Sequence, residues 1–291
     1  MLYNYDTSSL LTINNNVKTN PDLLKGYLQG TLYLAPQKNI INAPHYGIDY
    51  DTKAINLSKV NLCKHATTGC SISCIYHQGI FKHALFQKNK VKQARLKRTL
   101  KFLTQRETFF AQIIKEIKAL QRKSKRKNLI PIISLNGTSD ILWEKEGFIY
   151  QEKEYKHLME LFPEVQFFDY TKYNIPKSRK KLPLNYHLTY SRAGTHRGKI
   201  IDDWETITSY LDKNINVAIV CTYAIKTKLL DNSHYQDYGL IDGDLQNNRA
   251  LDQNSKGEKG NIILLEANKK TDINSSGFIL QTEEEIQGYL T

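Results

Sequence analysis

The stretch Ile130-Pro-Ile-Ile-Ser-Leu135, followed by Asn136-Gly-Thr-Ser-Asp140, decides the fold class of this chain. Its first six residues are almost wholly apolar, which is typical of a strand buried on both faces of a parallel sheet. The polar residues that follow mark the end of the strand, and Gly137 permits a tight turn there. The sequence therefore predicts a buried strand whose carboxyl end carries polar side chains.

The same pattern recurs through the second half of the chain. Helices are predicted between the strands, because strands and helices alternate in parallel β/α units. Since polar groups follow at least four strand ends, the sequence favours an α/β fold built as a parallel β/α barrel or partial barrel of the TIM type over an open sheet. The further strands are predicted at 165–168, 186–190, 216–221, 238–241 and 260–265, and the helices at 155–162 and 204–212.

The chain divides by composition into two parts. Residues 1–60 are polar and rich in turn-forming residues, with a short β-like piece at Gly30–Ala35. We expect them to form an N-terminal arm or β-hairpin extension. Residues 61–291 are expected to form the barrel, which would be the catalytic domain.

A long helical stretch is predicted at about 86–123, with a break near 103. At the break, Thr104 and Glu107 have the spacing of a capping box. In the second half, apolar residues recur at helical spacing and are assigned to the core. This apolar stripe consists of Phe110, Ile113, Ile114, Ile117 and Leu120.

Positive charge is concentrated in this helical region. The chain has 291 residues and a net charge of +12, but Lys82–Lys127 alone holds 16 Lys and Arg against two acids, so the rest of the chain sums to −2. Such a surface usually meets phosphate, although a solvated helix face in a Lys-rich chain would show the same count. The candidate nucleic-acid contacts are Lys88, Lys90, Lys92, Arg95, Arg98, Arg122, Lys125 and Arg126.

Composition and motifs exclude several classes of protein. With 40% hydrophobic residues the chain has enough apolar surface to form a core, and it has no apolar run of about 18 residues that would span a membrane. The first residues lack the features of a secretory signal, so we expect a cytoplasmic protein without membrane partners. A Walker loop, G-x-G-x-x-G, H-E-x-x-H and G-x-S-x-G are all absent.

Three cysteines lie close together, with the spacing C-x6-C-x3-C: Cys63, Cys70 and Cys74. Without extracellular targeting a disulfide framework is not expected, so three thiols within 12 residues suggest a metal. Zinc would need a fourth ligand, such as His65, His77 or His83. An iron–sulfur cluster held by three cysteines leaves one iron open. Thiols without metal are the remaining alternative, and the fourth cysteine, Cys221, is expected to be an inert core thiol.

Polar residues at the first strand end form the most suggestive candidate site. Asn136, Ser139 and Asp140, with Trp143 and Glu144, could bind a ligand or supply a base. Capping of the next helix is the structural alternative.

Later strand ends carry further candidates. Asp169 and Lys172 pair an acid with a cation, and either catalysis or a structural salt bridge would explain them. His187 lies inside a strand, where a buried structural histidine is the commoner outcome. The candidate binding residues here are Tyr190, Ser191 and Arg192, and then Asp242, Asp244 and Arg249.

Taken together, these motifs resemble the phage gene product 88 domain family. The resemblance covers about 60–280 and implies a phage or prophage origin, without a demonstrated reaction. A second phage family, the Gp37/Gp68 group, is similar in having a C-x6-C-x2-C motif and features of a radical S-adenosylmethionine barrel. The matching pieces are Cys63–Cys74, Gln93-Ala-Arg95, Leu135–Asp140 with Trp143-Glu144, Phe167–Lys172, Asn185–Arg192, Asp242–Leu245 with Arg249 and Asp252, and Ser276-Gly-Phe278.

Three hypotheses follow. In the first, a [4Fe–4S] cluster on the three cysteines binds S-adenosylmethionine, and the enzyme acts on a nucleotide or nucleic-acid base. The C-x3-C-x2-C spacing usual in radical S-adenosylmethionine enzymes differs from the one found here. Asp140, Asp169, Lys172 and His187 are its catalytic candidates.

In the second, the chain resembles a transglycosylase barrel that modifies phage DNA bases and binds zinc, although the C-x-C-x2-C zinc motif of those enzymes is absent. In the third, it is a basic protein that binds nucleic acid or a host factor without catalysis.

Overall fold

The structure is a computed structural model, in which a mixed α/β fold is described for most of the chain. The described residues are 3–13, 21–77, 89–179, 181–231, 234–235, 237–252, 259–267, 277–282 and 285. Within these ranges, no helix is both long enough and apolar enough to cross a membrane.

Two long helices dominate the helical part of the chain. They are α2 (Lys90–Thr104) and α3 (Arg106–Arg126), and the other described helices are short. Those are α1 (Thr68–Ile72), α4 (Leu158–Leu161), α5 (Ile175–Ser178), α6 (Trp204–Leu211) and α7 (Tyr223–Leu230).

The strands are short and mostly parallel. In chain order they are β1 (Leu11–Ile13), β2 (Tyr27–Leu32), β3 (Ile130–Ser134), β4 (Phe148–Tyr150), β5 (Lys153–Tyr155), β6 (Gln166–Thr171), β7 (Tyr186–Ser191), β8 (Thr195–His196), β9 (Lys199–Ile200), β10 (Val217–Cys221), β11 (His234–Tyr235), β12 (Tyr238–Asp242), β13 (Ile262–Glu266) and β14 (Ile279–Leu280).

The first of two compact units comprises residues 1–64, 75–169 and 182–186. Its sheet has the order β1-β2-β3-β6, in which β2, β3 and β6 are parallel and β1 is antiparallel to β2. The register sets Tyr27 opposite Ile130 and Thr31 opposite Ser134, so the carboxyl ends of β2 and β3 lie at one edge. Residues expected to form an N-terminal extension therefore contribute two strands to this sheet.

The second unit comprises residues 65–74, 170–181 and 187–291. Its sheet has the order β7-β10-β13-β12-β11, and β14 also pairs with β10. The strands β7, β10, β13, β12 and β14 pair in parallel, whereas β11 is antiparallel to β12. The parallel α/β class expected from the alternating pattern is confirmed by these pairings.

The predicted break in the long helical stretch is confirmed at Gln105, between α2 and α3. The apolar stripe of α3 is completely or almost completely buried, as its spacing indicated. The predicted capping box is wrong, because Gln105 is the N-cap of α3 and the Thr104 hydroxyl donates instead to the carbonyl oxygen of Leu100 at 2.7 Å. The helix predicted at 155–162 is reduced to α4, since residues 153–155 form the strand β5.

Candidate functional site

Asn136 is the centre of the turn that follows β3. Its side-chain oxygen accepts hydrogen bonds from the Ser139 hydroxyl, the Ile141 amide and the Trp143 indole at 2.9, 2.9 and 3.1 Å. Its amide nitrogen donates to the Ile141 carbonyl at 2.9 Å. Asn136, Ser139 and Trp143 are all buried. These candidate binding residues therefore shape the turn from within.

Asp169, on β6, holds the same turn to its neighbours. One carboxylate oxygen accepts from the Ser134 hydroxyl and the Asn136 amide, both at 2.8 Å. The other accepts from the Tyr186 hydroxyl at 2.8 Å. A carboxylate that is 1% exposed and accepts three hydrogen bonds is well satisfied, so Asp169 orders the strand ends.

Cys63 lies against this turn. Its sulfur is 3.8 Å from the Thr138 carbonyl oxygen, and the Asp140 amide donates to the Leu62 carbonyl at 2.7 Å. Gly137 is required by close packing, because a Cβ at this position would stand 2.8 Å from the Tyr33 ring and 2.8 Å from the Leu32 carbonyl. The segment that carries Cys63 is thus held at the carboxyl edge of β2 and β3.

The start of α2 brings two cations to aromatic residues at this edge. The Arg95 guanidinium lies 4.8 Å from the centre of the Tyr33 ring and 5.6 Å from that of Tyr76. The Lys92 ammonium lies 5.6 Å from the centre of the Tyr76 ring. Burial, followed by the charge of Arg95, lowers the pKa of Lys92, and burial and Lys92 together lower the pKa of His77.

The other basic candidates are placed differently. Arg122, Lys125 and Arg126 are exposed in the last turns of α3, close in sequence to the first residue of β3, at the amino edge of the sheet. Arg98 is 8% exposed and donates from Nε to the Ser9 carbonyl at 2.9 Å, so it anchors the N-terminal segment. Lys90 is exposed at the first position of α2, and Lys88 lies outside the described residues.

Cys70 and Cys74 belong to the second unit, where α1 carries Cys70 and Cys74 follows it. The Thr67 hydroxyl accepts from the Cys70 amide at 3.2 Å and donates to the Ala193 carbonyl at 2.8 Å, which anchors α1 beyond the carboxyl end of β7. His65, a candidate zinc ligand, packs edge-on against Tyr173 with 4.2 Å between ring centres. His83 lies outside the described residues.

Lys172 and Arg192 bind backbone carbonyls in the second unit. The Lys172 ammonium donates to the Ser191 carbonyl, the Ser191 hydroxyl and the Arg192 carbonyl at 3.1, 3.0 and 2.9 Å. Arg192 is 3% exposed and donates to the carbonyls of Gly277 and Phe278 at 2.6 and 3.3 Å. These contacts hold the chain after β7 to the segment before β14.

Asp202, which the sequence did not single out, organises the turn after β7. It accepts from the amides of Ala193 and Gly194 and from the Tyr190 hydroxyl, the last two at 2.7 and 3.2 Å. Burial raises the pKa of Asp202 and, together with the nearby Asp202 charge, raises that of Tyr190. No sequence motif could have linked Asp202 to the end of β7.

A fully buried ion pair lies in the second unit. Arg249 Nε is 3.1 Å from Asp252 Oδ2, and neither side chain is exposed. Arg249 also donates to the carbonyls of Gly243 and Gln246. Burial, with Arg249 nearby, lowers the pKa of His187 to about 4, and burial raises that of Tyr170 to about 12. His187 is therefore neutral at physiological pH.

Asp242 and Asp244 share one cation. The Lys226 ammonium lies 2.5 Å from Asp242 Oδ1 and 2.6 Å from Asp244 Oδ2, with the lysine side chain only 8% exposed. The Glu266 amide also donates to Asp244 at 2.9 Å. Lys226 thus neutralises these two acids at the carboxyl end of β12.

The three clustered cysteines are the strongest candidates for metal ligands in the sequence. All three clustered thiols are half-buried and outside disulfides, and thiolate donors suit both zinc and iron–sulfur clusters. Across the described ranges, however, no three His, Cys, Asp or Glu side chains are grouped closely enough to hold a metal ion. The donor chemistry of the three thiols fits either metal.

Comparison with known proteins gives a single informative result. The family model described as gene product 88 matches residues 11–282. The searches of curated proteins and of solved structures give no significant match.

Proposed function

The chain belongs to the gene product 88 family, and from that premise we propose that it is a metal-dependent enzyme acting on a nucleotide or nucleic-acid base. The observation that carries this proposal is the position of Cys63 at the carboxyl edge of β2 and β3, the same edge at which Lys92 and Arg95 lie. Strand carboxyl ends are where α/β proteins place their ligands. We also propose that the strands form the parallel β/α barrel or partial barrel expected from the sequence.

Cys63, Cys70 and Cys74 are the proposed metal ligands. A [4Fe–4S] cluster with S-adenosylmethionine is our first choice for the cofactor, by analogy with the Gp37/Gp68 group, and zinc is the alternative. When bound, a cluster of this type supplies one-electron chemistry, whereas zinc supplies Lewis-acid chemistry. The cysteine chemistry supports both.

We propose different roles for the two acids, Asp169 and Asp140. Asp169 is engaged by three hydrogen-bond donors, so we assign it to positioning the turn after β3. Asp140 is half-buried in that turn, and its backbone is fixed to the residue before Cys63. We therefore propose Asp140 as the acid that contacts the substrate. Glu144, four residues further along the chain, remains a candidate binding residue.

A second candidate function is nucleic-acid binding without catalysis. It is favoured by the structural engagement of Asp169 and Lys172, two residues first considered catalytic. In that case the cysteines would not bind metal, and the start of α2 alone would carry the activity.

Metal analysis of anaerobically purified protein separates the two candidates. We expect iron with acid-labile sulfide, or stoichiometric zinc, in the parent protein and loss of the metal in Cys63→Ala, Cys70→Ala and Cys74→Ala. Cys221→Ala is the matched control. Cys221 is buried in the second unit and is not a proposed ligand, so the variant protein should retain the metal. Metal-free parent protein after reconstitution with iron and sulfide or with zinc would overturn the enzyme proposal.

A further inference from the structure

Acidic residues are missing from one long part of the sequence. From Thr52 through Arg106 there is no Asp or Glu, whereas the same 55 residues hold 12 Lys and Arg. The formal charge of this segment therefore equals the +12 of the whole chain. All three clustered cysteines, His65, His77 and the start of α2 lie within it, so the cations around the cysteines and at the start of α2 have no acidic neighbour nearby in sequence.

In the first unit, the tertiary structure places part of this segment at the carboxyl edge of β2 and β3. Lys92 and Arg95 are held there by the rings of Tyr76 and Tyr33. Among the described residues, Lys92 makes no ion pair with an acid, and its ammonium lies 5.6 Å from the centre of the Tyr76 ring. Two neighbouring cations held by aromatic rings repel each other and attract an anion.

Contacts connect these cations to Cys63 in a short series. The Arg95 guanidinium lies over the Tyr33 ring, and Tyr33 packs directly against Gly137. The next residue, Thr138, contacts the Cys63 sulfur through its carbonyl oxygen. An anion bound by Lys92 and Arg95 would consequently lie beside the turn that holds Cys63.

The beginning of α2 adds to the attraction. Asn89, which is 1% exposed, caps the helix by accepting from the Lys92 amide at 3.1 Å, so the first turn is fixed in place. The positive end of the helix dipole of this 15-residue helix therefore lies beside Lys92 and the exposed Lys90 in the first turn.

We propose that Lys92 and Arg95, with Lys90, form the phosphate-binding part of the site and guide a nucleotide phosphate to the edge where Cys63 lies. The inference rests on the proposed function for its substrate class. The phosphate belongs either to a nucleic-acid strand or to a free nucleotide. The basic residues at the end of α3 take no part, because they lie at the amino edge of the same sheet.

The test compares two variants that each remove two positive charges from the first unit. Lys92→Gln/Arg95→Gln changes the proposed site, and Arg122→Gln/Lys125→Gln is the matched control at the end of α3. Binding of a labelled thymidine oligonucleotide of about 12 nucleotides is measured by fluorescence anisotropy over a range of salt concentrations. Competition with thymidine monophosphate shows whether a free nucleotide occupies the same site.

We expect the site variant to bind about tenfold more weakly and the control to change less than about twofold. The slope of log K against the logarithm of the salt concentration should be about 1.4 less steep in the site variant. This is the value for two lost single-strand phosphate contacts. Equal weakening in both variants, or unchanged binding in the site variant, would overturn the inference. Lys92→Gln alone provides a milder variant if circular dichroism shows that the double substitution disturbs the fold.

Metal content measured on the same samples separates this inference from the proposed function. Oligonucleotide binding at α2 in protein that takes up no metal would sink the enzyme proposal and leave the phosphate site standing. If the three cysteines bind metal but Lys92 and Arg95 contribute nothing to oligonucleotide binding, the enzyme proposal stands and the phosphate site is overturned.

Discussion

Arg249 Nε and Asp252 Oδ2 lie 3.1 Å apart with both side chains completely buried. Removing one member of a buried pair leaves the other charge without compensation, which typically costs about 3–5 kcal/mol. We expect Arg249→Met and Asp252→Asn each to lower the free energy of unfolding by an amount in this range, measured by urea denaturation.

An exposed pair in the same unit is the control. Lys259 lies 3.3 Å from Asp237, with the two side chains 36% and 83% exposed, and Asp237→Asn should cost no more than about 1 kcal/mol. Similar losses at the buried and exposed pairs would contradict this account of the Arg249–Asp252 pair.

His187 makes stability depend on pH. Burial and the nearby Arg249 lower its folded-state pKa to about 4, below the ordinary 6.5, so the unfolded chain binds the proton more readily. The stability due to neutral His187 is complete above pH 6.5 and is lost as the pH falls from about 6.5 to about 4. The loss is on the order of 3 kcal/mol.

The measurement for His187 is urea denaturation of the parent protein and of His187→Gln at several pH values across this range. The variant should lose this part of the pH dependence and retain the part due to carboxylates. A variant whose stability falls with pH as steeply as that of the parent would show that His187 is not the titrating group.

Gly194 is expected to resist substitution more than Gly198. Both have positive φ, +71° and +77°, which costs a residue with a side chain about 1–2 kcal/mol. A Cβ at Gly194 would also stand 2.7 Å from the Gly277 carbonyl oxygen, whereas nothing lies within 4 Å at Gly198. Overpacking should add about 1–3 kcal/mol to the cost of Gly194→Ala. Thermal unfolding of the two alanine variants tests the difference, and equal shifts in Tm would contradict it.

The four cysteines should differ in reactivity. Cys221 has no exposed surface, and burial raises its pKa to about 12, so it should not react with iodoacetamide at pH 8 in the native protein. Cys63, Cys70 and Cys74 are half-buried, and we expect them to be alkylated in metal-free protein and protected when metal is bound. Peptide mass spectrometry reads out each site, and rapid native modification of Cys221 would contradict its buried placement.

Local patterns predicted much of the fold. The strand at 130–134 and the buried face of α3 follow from the apolar pattern, which burial enforces directly. The break between α2 and α3 was expected from a capping box that the structure does not form. The polar strand ends were also recognisable, but their roles were not. Whether Lys172 meets a ligand or a backbone carbonyl depends on partners distant in the chain, Ser191 and Arg192.

The sequence by itself determined the α/β class and the concentration of positive charge around the cysteines and α2. Only the tertiary structure decided where that charge acts. Because α3 has 21 residues and is about 30 Å long, it carries Arg122 and Lys125 to the amino edge of the sheet, while Lys92 and Arg95 remain at the carboxyl edge. Arg98, by contrast, is buried against the N-terminal segment and contributes little to the surface charge. The length and direction of α3 thus place basic residues from one charged stretch of the sequence at opposite edges of the sheet.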